Sequence, residues 1–138
     1  MDITQHAVAE TAAIHLKSAD GNHLYDGEKP VRVVVYGPGS KAFAAVEARQ
    51  TQRVLRRREE NDGKVTVASP EQRAKEEAED LAAITARFEN LEYPPAKGKE
   101  GAEMFEALYS DPRLGFINKQ VGKFVADWGN FKAGSPTS

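Results

Sequence analysis

The sequence predicts an α+β fold in which an N-terminal β-hairpin is followed by a mainly α-helical region. Two short segments with strand-like patterns lie within the first 36 residues, helix-capping residues recur after them, and a long helical stripe of apolar residues lies near the C-terminus. A chain of 138 residues suits one domain with one modest core. We expect this domain to contain a hairpin at 12–36, helices at 40–58, 70–91, 101–110 and 112–131, and a disordered tail at 132–138.

The predicted hairpin consists of residues 12–17 and 31–36, joined by a long connection. In the first segment Ile14 and Leu16 alternate with small or polar residues, which is the period of two of a half-buried strand. The second segment is a β-branched run that ends at Tyr36. Because the connection contains two Asp-Gly turn clusters, the two strands are predicted to pair antiparallel.

A glycine-rich turn follows the second predicted strand and leads to Ser40, whose side chain suits a helix N-cap. Gly37, Gly39 and Lys41 superficially resemble a phosphate-binding loop. That motif has a longer spacing between its glycines and places the lysine directly after the second one. We therefore favour a structural turn over the nucleotide site of a small enzyme.

The helix predicted at 40–58 is poor in apolar residues and basic towards its C-terminal end. Candidate contacts for an anionic partner are Arg49, Arg53, Arg56 and Arg57. We favour a solvated face whose arginines pair with the acidic segment that follows, since no aromatic side chains are interleaved for stacking on bases. A nucleic-acid-binding module that uses residues 49–58 is the alternative function.

A second helix is signalled by Ser69, Pro70 and Gln72, which can supply an N-cap, a first-turn proline and the partner of a capping box. Apolar residues recur at helical spacing as far as Leu91, which predicts a helix over 70–91. Residues 65–67, just before this signal, are interpreted as a short extended piece.

The longest apolar stripe begins after Asp111 and Pro112, which suit an N-cap and a first helical turn. It predicts a continuous helix over 112–131, and its members are Leu114, Ile117, Val121, Phe124, Val125 and Trp128. We interpret the first three members as core residues. The aromatic end of the segment is interpreted as a partner-binding surface made by Phe124, Trp128 and Phe131.

Composition limits the chemistry that we expect. The chain has no cysteine and a net charge of −2, and its histidines, His6, His15 and His23, lack the spacing of metal ligands or of a nucleophile and its base. No apolar run is long enough to cross a bilayer, and the N-terminus lacks the apolar core of a signal peptide. We therefore expect an intracellular, non-enzymatic protein without metal, cofactor or membrane partner.

Two parts of the sequence resemble tail assembly chaperones of long-tailed bacteriophages and prophages. Residues 29–41 are similar to the N-terminal strand, turn and helix of that family. Residues 108–121 and the segment 127–131 are similar to the C-terminal part of the same proteins, and the order and spacing of these motifs match the family.

This resemblance implies a non-catalytic role in virion assembly. Members of the family bind the tape measure protein, keep it soluble and help tail tube subunits gather around it in the host bacterial cytoplasm, and they are absent from the mature virion. The implied partners are the tape measure protein and, secondarily, the tail tube protein, while self-association stays open. A nucleic acid is not an expected partner.

Overall fold

A three-stranded antiparallel sheet lies at the centre of the fold. The computed structural model describes residues 1–64 and 67–133. Its strands are β1 (Thr11–His15), β2 (Tyr25–Asp26), β3 (Lys29–Pro30), β4 (Arg32–Tyr36) and β5 (Thr85–Glu89). Its helices are α1 (Lys41–Glu60), α2 (Pro70–Ala83), α3 (Ala102–Tyr109) and α4 (Gly115–Val125). Early strands followed by helices confirm the predicted α+β class with its N-terminal hairpin.

The predicted hairpin is formed by β1 and β4, which pair antiparallel with Ala13 opposite Val34. The connection between them makes a second small hairpin, because β2 pairs antiparallel with β3. β4 also pairs antiparallel with β5, so the spatial order in the main sheet is β1, β4, β5. The central strand is thus the β-branched run that the sequence marks most strongly.

The two faces of the sheet differ in polarity, as expected for an antiparallel sheet with one covered face. Ile14 and Val33 lie opposite each other and are both buried in the core, together with Val35. The other face carries Arg32 and Glu89, which form an ion pair at 3.8 Å, and also the buried Val34. The helices cover the apolar face, and their buried residues complete the same core.

The N-caps predicted at Ser40 and Ser69 are both present. Ser40 accepts a hydrogen bond from the Phe43 N–H at 3.1 Å at the start of α1. Ser69 and Gln72 form a complete capping box at the start of α2, with bonds of 3.0 and 3.1 Å. Within α1, which lies wholly in the described part of the chain, only Val46 is buried. This long helix therefore depends on contacts with α2 more than on the core.

The prediction of one helix over 70–91 is wrong, because α2 ends at Ala83 and residues 85–89 form β5. Apolar spacing alone cannot separate the two states over so short a run. Pairing with β4 supplies the backbone hydrogen bonds that further helix would have provided, and Phe88 lies opposite Val33. Thr85 adds a β-branched residue whose hydroxyl donates to the Leu81 carbonyl at 2.7 Å.

The prediction of a continuous helix over 112–131 is also wrong. A 3₁₀ turn at Pro112–Leu114 precedes α4, and a second 3₁₀ turn at Trp128–Phe131 follows it. Asp127 adopts an extended conformation and accepts the Gly129 N–H at 2.9 Å, so it acts as a new N-cap after α4. The Asn130 side chain donates to the Phe124 carbonyl at 3.0 Å, and the Asp127 N–H donates to the same carbonyl at 3.3 Å, so both bonds hold the new turn against the end of α4.

The tail predicted to be disordered begins with an ordered residue, since Lys132 forms an antiparallel β-bridge with Val8. This bridge joins the two ends of the described chain. Residues 134–138 of the predicted tail lie outside the described residues, as do residues 65 and 66 of the predicted extended piece.

Candidate partner-binding surface

The C-terminal segment packs directly on the glycine-rich turn between β4 and α1. A Cβ atom placed on Gly37 would lie only 2.6 Å from Cε2 of Phe131, so the aromatic ring occupies the space that any other residue at 37 would need. The Phe131 carbonyl accepts the Ala9 N–H at 2.6 Å. Phe131 is fully buried as a result. The prediction that Phe131 belongs to a partner-binding surface is therefore wrong, because Phe131 is a core residue.

Trp128 remains on the surface and is 56% exposed. Its ring lies beside the same turn, since a Cβ on Gly39 would be 3.7 Å from Cζ3 of Trp128. Phe124 is half-buried and makes an edge-to-face contact with Phe131, with ring centroids 5.5 Å apart. Of the three predicted aromatic contacts, the structure therefore leaves more than half of Trp128 and a smaller part of Phe124 accessible to a partner.

The turn at 37–40 is closed by its own hydrogen bonds. Ser40 is buried, and its hydroxyl donates to the Gly37 carbonyl at 2.7 Å while it caps α1. Together with the Phe131 ring over Gly37, these bonds give the turn a structural role, because the C-terminal segment packs on it.

Three of the four predicted anion-contacting arginines are paired with carboxylates of α2. Arg53 donates to both oxygens of Asp80 at 2.8 and 2.9 Å. Arg49 reaches the same carboxylate at 3.1 Å, and Arg57 pairs with Glu76. The Asp80 and Arg53 side chains are only 13% and 15% exposed, so their pairing is partly shielded from water.

Arg56 is exposed and makes no ion pair within the residues that the structure describes. The other three arginines contact carboxylates of α2, and the Arg53 and Arg57 side chains are mostly buried by that contact, whereas Arg49 is 43% exposed. This is the arrangement expected from the favoured interpretation of the basic helix as a charge partner of α2. Val54 and Leu55, by contrast, are 59% and 52% exposed and leave an apolar patch on α1.

A surface groove of about 560 Å³ lies beside β1, and the sequence did not indicate it. Its walls carry Ile14, His15, Lys17, His23, Gln120, Lys123, Phe124, Asp127 and Asn130. His15 and His23 are stacked with ring centroids 4.2 Å apart, and the Nε2 of His15 lies 2.9 Å from the Leu24 carbonyl. These residues come together because Lys17 forms a β-bridge with His23, a pairing that spacing alone does not reveal.

The groups with shifted pKa values include the Tyr109 phenol in the core and the Asp111 carboxyl group before α4. Burial raises the pKa of Tyr109 to about 12, although the hydrogen bond with Thr85 acts in the opposite direction. The pKa of Asp111 is lowered, first by the Arg113 side-chain hydrogen bond and then by the Tyr93 hydroxyl, which donates to Asp111 at 2.9 Å. That carboxylate also caps the turn before α4, so this network fixes where the C-terminal segment begins.

Comparisons with known proteins found no matching family model, no matching curated protein and no matching solved structure. Within the described residues, no helix is both long and apolar enough to cross a membrane. The same residues contain no group of three or more histidine, cysteine or acidic side chains that could hold a metal ion.

Proposed function

We propose that this chain is a non-catalytic tail assembly chaperone of a long-tailed bacteriophage or prophage. It binds the tape measure protein, keeps it soluble and promotes assembly of tail tube subunits in the host bacterial cytoplasm, and it is absent from the mature virion. The proposal rests on the resemblance of residues 29–41, 108–121 and 127–131 to that family. The supporting observation is the direct packing of Phe131 on Gly37, which joins the two resembling ends of the chain.

This packing offers one structural explanation for the resembling motifs at both ends of the chain. The turn after β4 needs glycine at 37 because the Phe131 ring fills the adjacent space. The Ala9 N–H then binds the Phe131 carbonyl, and Lys132 continues as a bridge to Val8. Residues far apart in sequence therefore form one unit, and Trp128 lies on its surface.

The chemistry of this surface suits a protein partner. A tryptophan that is 56% exposed offers a large, rigid apolar area beside the half-buried Phe124. An amphipathic helix of the tape measure protein can place its apolar residues against such a surface. The basic helix supports the nucleic-acid alternative less well, because Arg49, Arg53 and Arg57 are already paired with α2.

The test is co-expression of this chain with its tape measure protein, followed by measurement of the soluble complex and of the melting temperature of the isolated chain. Replacing Trp128 with Ala should weaken binding by about 2 kcal/mol, or roughly thirtyfold in Kd. The melting temperature should change little, because more than half of the Trp128 side chain is already exposed. Leu55→Ala is the matched control, since Leu55 is 52% exposed on α1.

Loss of soluble tape measure protein with Trp128→Ala, but not with Leu55→Ala, supports the proposal. A wild-type chain that neither binds nor solubilises the tape measure protein refutes the function itself. If soluble tape measure protein is lost with Leu55→Ala alone, the binding surface lies on α1 instead. The neighbouring genes provide an independent check, because a downstream tape measure gene and an upstream tail tube gene are expected.

A further inference from the structure

The outer edge of β1 is open over its central residues. The Gly37 N–H binds the Glu10 carbonyl at 2.8 Å, and the Leu16 N–H binds the Val31 carbonyl at 2.9 Å. Antiparallel pairs that exchange hydrogen bonds alternate with pairs that do not. The backbone groups of the even-numbered residues therefore point to β4, and those of Thr11, Ala13 and His15 point away from it.

At both ends of this edge, the outward backbone groups of β1 and its flanking residues already form hydrogen bonds with a carbonyl or an amide group. At one end the Ala9 N–H donates to the Phe131 carbonyl. At the other end the Lys17 N–H donates to Oε1 of Gln120 at 2.8 Å, and Nε2 of Gln120 donates to the Lys17 carbonyl at 2.7 Å. The Gln120 amide thus makes the two bonds that a residue of a neighbouring strand would make.

Between these ends, the described part of the chain provides no backbone hydrogen-bond partner on the outer side of residues 11–15. The groove of about 560 Å³ lies beside the C-terminal part of this stretch, where Ile14 and His15 line it, and it extends towards the segment that follows Gln120. An unpaired strand edge beside such a space is a template for a further strand.

The charge of the groove indicates the chemistry of that strand. Lys17 and Lys123 line it, and Lys132 lies beyond the end of the edge that Phe131 occupies. Asp127 is the acidic residue of the lining, and its Oδ1 already accepts the Gly129 N–H. An extended segment with acidic side chains complements this set better than a basic one.

We propose that the groove binds an extended, acidic segment of a partner protein by strand addition to β1. The segment forms backbone hydrogen bonds with Thr11, Ala13 and His15, while its carboxylates lie near Lys17 and Lys123. This site shares Phe124 with the proposed chaperone surface but does not include Trp128, and it takes a strand rather than a helix. It therefore does not depend on the proposed chaperone function.

The probe is an acetylated and amidated hexapeptide in which threonine and glutamate alternate, compared with the same peptide containing lysine in place of glutamate. Binding to the full chain, labelled with ¹⁵N, is followed by NMR titration and amide hydrogen exchange. The glutamate peptide should slow exchange at the Ala13 and His15 amides. It should bind about tenfold more tightly than the lysine peptide at low salt.

Two variants separate the backbone contribution from the charge. Ala13→Pro removes an outward N–H that β4 does not use, and proline is tolerated at such edge positions, so the hairpin should persist while peptide binding falls about tenfold. Lys123→Glu leaves the edge intact and should remove most of the preference for glutamate. If Ala13→Pro does not fold, the exchange data and Lys123→Glu still decide the question.

The proposal is overturned if neither peptide binds at millimolar concentration, or if binding leaves the Ala13 and His15 amides unprotected. Equal affinity for both peptides at low salt overturns the acidic specificity. Trp128→Ala should bind the glutamate peptide normally, so failure of this proposal and failure of the chaperone function are distinguishable.

Discussion

Replacing Gly37 with alanine should destabilise the protein by crowding one identified side chain. The new Cβ would lie 2.6 Å from Cε2 and 2.7 Å from Cγ of Phe131. These distances are shorter than real Cβ contacts, and they involve the body of the ring rather than a flexible end. Phe131 is fully buried and cannot move without displacing its neighbours.

Overpacking of this kind typically costs about 1–3 kcal/mol. For a chain of 138 residues this cost lowers the melting temperature by about 3–10 °C. The matched control is Gly122→Ala in α4, where no atom outside the adjacent backbone of the same helix lies within 4 Å of the added Cβ. That substitution should instead stabilise the protein by about 0.5–1 kcal/mol, because alanine has the higher helix propensity.

The assay is urea unfolding monitored by circular dichroism, with Phe131→Leu added to complete a double-mutant cycle. If the Phe131 ring causes the destabilisation, Gly37→Ala should cost less in the Phe131→Leu background than in the wild type. An equal cost in both backgrounds would refute the proposed contact. A stabilising Gly37→Ala would show that the C-terminal segment does not lie on the turn.

Three further predictions concern polar contacts. Because the pKa of Tyr109 is raised to about 12 from 10.0, ionisation favours the unfolded chain as pH rises between these values. Wild-type stability should therefore fall by up to about 1.4 kcal/mol per pH unit more than that of Tyr109→Phe, measured by urea unfolding. Asp80→Ala should destabilise the protein by about 1–3 kcal/mol and speed amide exchange in α1, because Arg53 loses two hydrogen bonds; unchanged exchange would contradict this. Tyr93→Phe should raise the lowered pKa of Asp111 in an NMR titration, since the phenol donates to that carboxylate; no change would contradict this contact.

Features that depend on near neighbours were predictable from the sequence. The caps at Ser40 and Ser69 need only a side-chain oxygen and backbone N–H groups two or three residues away. The alternation around Ile14 and the β-branched run before Tyr36 likewise identified two strands and their antiparallel pairing. The same local information predicted that the basic helix would pair with acidic α2, because the two charge runs are adjacent in sequence.

The sequence by itself thus determined the α+β class and the starts of the first two long helices. The tertiary structure decided whether segments that could be helix or strand became one or the other, and where α4 ends. Residues 85–89 became a strand because β4 had a free edge, and Asp127 ended α4 by capping a new turn. Phe131 became core because Gly37 left room for its ring, although both residues lie far apart in sequence. The groove beside β1 likewise required Gln120 and Lys17 to meet. Such contacts depend on packing and hydrogen bonding between distant segments, which residue spacing along one segment does not encode.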